Sequence, residues 1–173
     1  PNPGEACLTP IPVAPGAGCV DVAASARSAA ASLGVPVPVI RLSPEPSGNR
    51  WGALGVGLPI WAWLDDPGSL SASASQDGID ISLSASRGSV TFDWGDGTSS
   101  TCTQMVQRPV GVDPLMASPV CGHAYVKAGD YTITATSSWD ELWQALGQQG
   151  RVGLSSSATY QMPIREFVTV VIG

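Results

Sequence analysis

Residues 90–98 read Val90-Thr91-Phe92-Asp93-Trp94-Gly95-Asp96-Gly97-Thr98, and the reading of this stretch decides the fold. Apolar and polar side chains alternate through it with the two-residue period of a strand. Val90, Phe92 and Trp94 therefore share one face, and Thr91 and Asp93 share the other. Asp96-Gly97 is a tight-turn pair, because glycine accepts the positive φ that short hairpin turns demand. The nine residues predict a strand with one buried face that runs directly into a turn.

The same alternation extends upstream. Leu70, Ala72 and Ala74 alternate with Ser71, Ser73 and Ser75, and Ile79, Ile81 and Leu83 alternate with Asp80, Ser82 and Ser84. Gln76-Asp77-Gly78 joins the two runs as a hairpin turn. Downstream, a strand is expected over Thr98–Thr103, then an irregular loop, 103–120, with Pro109, Pro114 and Pro119. A short strand over Gly122–Val126, a turn at Lys127–Asp130 and a strand over Tyr131–Thr136 follow. The Val-rich end, Ile164 to Ile172, reads as a central final strand. Between these, residues 139–160 have two readings. Ser138-Trp139-Asp140-Glu141 is a capping-box pattern, and Trp139, Leu142, Trp143 and Leu146 have helical spacing. Alternatively the strand continues, turns at Gly147-Gln148-Gln149-Gly150 and returns through Val152–Thr159 as a long hairpin arm, which is the preferred reading.

The first part of the chain is different. Residues 1–19 are rich in Pro and Gly. Asp21 then caps a helix over about 21–33, with Val22, Ala26, Ala29, Ala30 and Leu33 on one stripe and Gly34 at its end. Prolines between Val35 and Pro46 leave only an extended or edge segment around Val39–Leu42. The apolar run from Trp51 to Leu64 ends as a strand on which Trp61 and Trp63 share a face, closed by a turn at Asp65-Asp66-Pro67-Gly68. Packing is the plainer reading for those two rings.

Composition narrows the function classes. At 173 residues with 43% hydrophobic content the chain can bury a real core, while 13% charged residues is a low share. The net charge of −6, with Lys127 the single lysine, argues against nucleic acid and against anionic membrane surfaces, both of which call for clustered cations. The longest apolar run is too short to cross a bilayer and contains Pro59, so no membrane insertion by this chain is expected. Four cysteines permit three pairings, and the two local couples favour Cys7–Cys19 and Cys102–Cys121. Neither couple has metal-ligand spacing, so the expected compartment is oxidising and extracytoplasmic: secreted or in the cell envelope. No signal peptide is visible from Pro1 onward, and the expectation is that a leader was removed or the chain trimmed.

Taken together, Phe92-Asp93-Trp94-Gly95-Asp96-Gly97-Thr98, His123-Ala124-Tyr125 and Gly129-Asp130-Tyr131-Thr132-Ile133-Thr134-Ala135-Thr136 resemble the PKD (polycystic kidney disease) domain family. That family carries Trp-Asp-Phe-Gly-Asp-Gly, then His-x-Tyr, then Gly-x-Tyr followed by an alternating strand. Here Phe92 and Trp94 exchange the two aromatic positions, the link to His123 is long and cysteine-closed, and 139–160 is inserted before the last strand. The resemblance covers about Ser69 to Ile172. It implies an all-β fold, an immunoglobulin-like antiparallel β-sandwich over 69–173; residues 1–68 have no counterpart in the family and read as an N-terminal extension with one short α-helix. Phe92, Asp93, Trp94, Gly95, Asp96, Gly97, His123, Tyr125, Gly129 and Tyr131 would be its structural motif. The closed loop and the arm also resemble secreted actinobacterial proteins with one such domain. Members are non-catalytic modules for protein or carbohydrate contact.

Catalysis finds little support in the residues. His123 is the one histidine, so any nucleophilic triad would have to use it, and its place in His-x-Tyr implies a structural hydrogen bond instead. The carboxylate pairs Asp65/Asp66, Asp93/Asp96 and Asp140/Glu141 adjoin turns or sit side by side, unlike two groups facing across a sugar. Gly52, Gly55 and Gly57 lack the Lys-Ser/Thr of a phosphate loop. No cofactor is expected. Asp93, Asp96 and Asp130 are the residues that would offer oxygens to calcium, although the turn lacks the repeated ligands of a dedicated loop and turn capping explains it as well. Six tryptophans against three tyrosines and two phenylalanines is a heavy bias. Trp139, Trp143 and Tyr160, on the insertion, are the candidate partner surface. The expected function is protein–protein contact or self-association in a surface assembly, with carbohydrate binding by exposed tryptophans as the alternative.

Overall fold

Asp21 opens the helix as the sequence predicts. Its side chain accepts the Ala24 amide at 3.0 Å, helix α1 spans Val22–Leu33, and the Gly34 N–H closes it on the Ala30 carbonyl at 3.3 Å. The computed structural model describes residues 20–167, so the expected Cys7–Cys19 bridge lies outside the described residues. Nine strands follow α1 within them. The first three are β1 (Ile40–Ser43), β2 (Leu54–Gly55) and β3 (Ile60–Leu64). Next come β4 (Ser69–Gln76), β5 (Ile79–Asp93) and β6 (Ser99–Cys102). The last are β7 (Gly122–His123), β8 (Gly129–Ala145) and β9 (Gln148–Arg165). The described residues are thus mostly β with one short α-helix. Strands pair in the orders β1-β3-β7 and β2-β9-β8-β5-β4, with β6 also on β5.

The residues fall into two compact units, and β5, β8 and β9 contribute a segment to each. Among the described residues, one unit gathers residues 20–35 with Pro67–Arg87 and Trp139–Leu154. Its strands are hairpins. β4 pairs antiparallel with β5 from Ser69↔Ser86 to Gln76↔Ile79, and the connecting Asp77 and Gly78 both take positive φ, 55° and 75°. β8 turns into β9 through Leu146 and Gly147, at 48° and 77°. Two consecutive positive values are the signature of a turn whose twist matches that of the flanking strands. One sheet face holds Ile79, Ile81, Leu83, Trp143 and Ala145, which pack with Val22, Ala26, Ala29 and Ala30 of α1. The small helix residues let the helix backbone approach the sheet, and Ser25 Oγ donates to Asp77 Oδ2 at 2.6 Å. The other face is polar, with Ser71, Ser73, Ser82 and Ser84 exposed and Arg151 paired with Asp140.

Residues 139–160 are therefore a hairpin arm and not a helix. The turn falls at Leu146-Gly147, earlier than the expected Gly147–Gly150. Tryptophans four residues apart suit both periods, and cross-strand pairing in one sheet selects the extended one.

Among the described residues, the second unit gathers Pro36–Asp66, Gly88–Ser138 and residues 155–167. β1 and β3 pair antiparallel through Ile40↔Leu64 and Ser43↔Trp61, and β3 meets β7 at Ile60↔His123. Ile40, Leu42, Ile60, Ala62 and Leu64 from this sheet share one core with Val90, Phe92, Ile133, Met162 and Ile164 from the other, and with Trp94 just after β5. Burial of side chains this size contributes roughly 1.5–3 kcal/mol each relative to exposure. Cys102 and Cys121 are bonded, with both residues buried. Their separation of 19 positions corresponds to about 3 kcal/mol of loop-closure stabilisation. The loop they close is further fixed by Trp61 Nε1, which donates to the Met116 carbonyl at 2.8 Å. Of the strand expected over Ile164–Ile172, Ile164 and Arg165 form the end of β9 and Glu166 and Phe167 follow it outside any strand; residues 168–172 lie outside the described residues.

Candidate functional site

The turn after β5 is held by its own side chains. Asp93 Oδ1 accepts the Gly95 amide at 2.9 Å, and Asp96 Oδ1 accepts the Thr98 amide at 3.0 Å and the Thr98 hydroxyl at 2.6 Å. Gly95 sits at φ 78°, and a Cβ there would lie 2.6 Å from the Thr132 carbonyl oxygen, so only glycine fits. Trp94 is fully buried, with Nε1 donating to Ser100 Oγ at 3.0 Å.

The two distant blocks of the sequence motif meet here. Asp96 Oδ2 lies 2.8 Å from His123 Nε2, and both side chains are largely shielded. The Tyr125 hydroxyl donates to the Trp94 carbonyl at 2.8 Å. Rings continue the connection. Phe92 stacks on Trp94 at 5.3 Å, Trp94 on His123 at 4.9 Å, His123 meets Tyr125 edge-on at 4.7 Å, and Tyr125 stacks on Tyr131 at 4.4 Å. Burial alone would push the Asp96 carboxyl up; the bonds from Thr98 and His123 outweigh it and hold the group below its ordinary value. Burial, reinforced by the nearby Asp96 charge, drives the Tyr125 hydroxyl strongly upward, so it stays a donor.

Asp130 does not join this cluster. Its Oδ1 accepts from Arg165 Nη2 at 2.7 Å, while another Arg165 nitrogen donates to the Gly129 carbonyl at 3.2 Å. Among the described residues no three His, Cys, Asp or Glu side chains gather in metal-ligating geometry. Asp93, Asp96 and Asp130 thus all serve the protein's own hydrogen bonds.

Trp139 and Trp143 were expected at a partner surface, and the structure places them inside, at 3% and 5% exposure. Both fall on the face of β8 that also carries Ala145. The Trp143 ring lies against Gly150, where a Cβ would stand 2.6 Å from it, so the missing side chain makes its space. Tyr160 is half-buried against the larger core. Glu141, between the two tryptophans, is buried, and its Oε2 has no hydrogen-bond partner among the described residues. Burial pushes its carboxyl up.

The exposed aromatic chemistry lies elsewhere. An Asx-type turn, with Asn49 Oδ1 accepting the Trp51 amide at 2.9 Å and Asn49 Nδ2 donating to the Ala53 carbonyl at 2.8 Å, holds Trp51 outward at 60% exposure. β2 pairs parallel with the end of β9, which brings Phe167 to 5.3 Å from the Trp51 ring. Arg50 lies 4.5 Å over that ring. Leu54, Val56, Leu58 and Leu115 line the same groove, of about 450 Å³. Sequence reading placed Trp51 inside an apolar run and missed it as a surface residue; the Asn49-x-Trp51 turn pattern is the signal that could have found it. Comparison of the chain with family models, with curated proteins and with solved structures gives no match.

Proposed function

We propose that this chain is a non-catalytic interaction module of the extracytoplasmic space, built on a PKD-like, immunoglobulin-type β-sandwich. The meeting of Asp96 with His123 and of Trp94 with Tyr125 supports the family reading, since it joins the blocks on which the resemblance rests. The Cys102–Cys121 bond supports the compartment. The observation that carries the function is the groove at Trp51 and Phe167. It is open and apolar, and among the described residues no carboxylate lines it, whereas Asp93 and Asp96 are bound up in the turn after β5. Exposed aromatics beside a guanidinium are the chemistry of protein contact.

Carbohydrate binding is the second reading, and Trp51 now carries it in place of Trp139 and Trp143. The test is capture of envelope proteins on the immobilised chain, with Trp51→Ala as control, alongside a glycan array. Trp51-dependent capture of one protein supports the proposal. Trp51-dependent glycan binding replaces it with the alternative. Capture indifferent to Trp51→Ala removes the groove as its basis.

A further inference from the structure

Strand β4 ends its sheet. Among the described residues it pairs with β5 alone, so its outward backbone donors and acceptors face no strand. In an antiparallel ladder alternate residues turn both groups away from the existing partner, which leaves roughly eight such groups on a strand of this length. Exposed edges are ordinarily guarded by charge, proline, a bulge or brevity. Ser69–Gln76, SLSASASQ, has none of these guards: it is uncharged, free of proline, eight residues long and paired with β5 without interruption.

We propose that β4 is a self-association edge, at which two copies of the chain pair β4 to β4 in antiparallel register about a two-fold axis. This rests on the reading of the chain as an interaction module and names its partner as a second copy. A matching strand is specified by what β4 already pairs with. Across β5 it sets Ser71 opposite Ser84, Ser73 opposite Ser82, and Ala72 opposite Leu83, so serines meet on the exposed face and apolar residues on the covered one. A second β4 offers that same alternation. Registers that keep both faces in order place Ser73 against Ser73, or Ser71 against Ser73, and alanine against alanine. A net charge of −6 on each copy opposes approach in general, but the edge itself places no like charges together. Small side chains on about 27 Å of strand bury less than the 1,200–2,000 Å² of a standard stable interface, so the pairing is reversible and concentration-dependent.

Sedimentation velocity of the full chain, from about 10 µM to 1 mM at low and moderate salt, tests this. The expected result is a monomer–dimer equilibrium that Ser73→Lys weakens at least tenfold, because it sets two ammonium groups across the axis. Ser73→Cys, alone or mixed with Ser71→Cys, should form disulfide dimers faster than Thr103→Cys, which lies off the edge. A wild-type chain that stays monomeric at 1 mM overturns the proposal, as does a dimer indifferent to Ser73→Lys in a variant of unchanged melting temperature. A monomeric chain that still shows Trp51-dependent capture would sink the self-pairing and leave the interaction-module reading standing.

Discussion

Trp94 and Tyr125 are tied by one hydrogen bond, from the tyrosine hydroxyl to the tryptophan carbonyl at 2.8 Å, in a wholly buried setting. Tyr125→Phe keeps the ring stacked on Tyr131 but leaves that carbonyl without its partner. The expected loss is about 1–3 kcal/mol, read by denaturant unfolding. An unchanged midpoint would mean that the carbonyl finds another donor.

Gly95→Ala combines two penalties, a left-handed backbone and a Cβ driven against the Thr132 backbone. A residue forced into that conformation costs about 1–3 kcal/mol before the clash is counted. The variant should be destabilised by more than about 2 kcal/mol, whereas Gly97→Ala, also at positive φ but with open space around it, should lose less.

Acid should act through Asp96. Its folded value lies below the ordinary carboxylate range, so the folded state binds fewer protons than the unfolded chain. The stability this contributes is complete above the unfolded value and is lost as pH falls through the folded one. Melting temperatures measured from pH 6 to pH 2 should fall less steeply for Asp96→Asn than for the wild type. Parallel curves would show that the bonds from Thr98 and His123 to Asp96 add no charge-dependent stability.

Glu141 works in the opposite sense. Burial raises its folded value, so its contribution is complete at low pH and is lost as pH rises through that value. Glu141→Met, which fills the space without an unpaired oxygen, should be more stable than the wild type at pH 8 by roughly 1–3 kcal/mol. The gap should narrow toward pH 4; a gap constant with pH would place the effect in packing alone.

The sequence revealed elements whose local chemistry agrees with their tertiary setting. Asp21 and Gly34 bound the helix, Asp77-Gly78 marks its hairpin, and Val90, Phe92 and Trp94 alternate onto the core, as the residue pattern requires. Where two periods fit the same residues, local signals could not choose. Trp139 and Trp143 are four apart, and what decides their state is the sheet beside them and the gap left by Gly150. Trp51 illustrates a different limit. Its exposure follows from an Asx-type turn, but its meeting with Phe167 depends on β2 pairing with the end of β9, residues distant in sequence.

Both hairpins turn within two residues, so β4 finds β5 and β8 finds β9 between chain neighbours. Such closures take microseconds. The contact of Ile60 with His123 has no such advantage, since it spans β4, β5, β6 and the disulfide-closed loop. Folding should therefore be polarised in time, with the arms formed early and β3 meeting β7 last. Substitutions at Ile81 should slow folding, and substitutions at Ile60 should chiefly hasten unfolding.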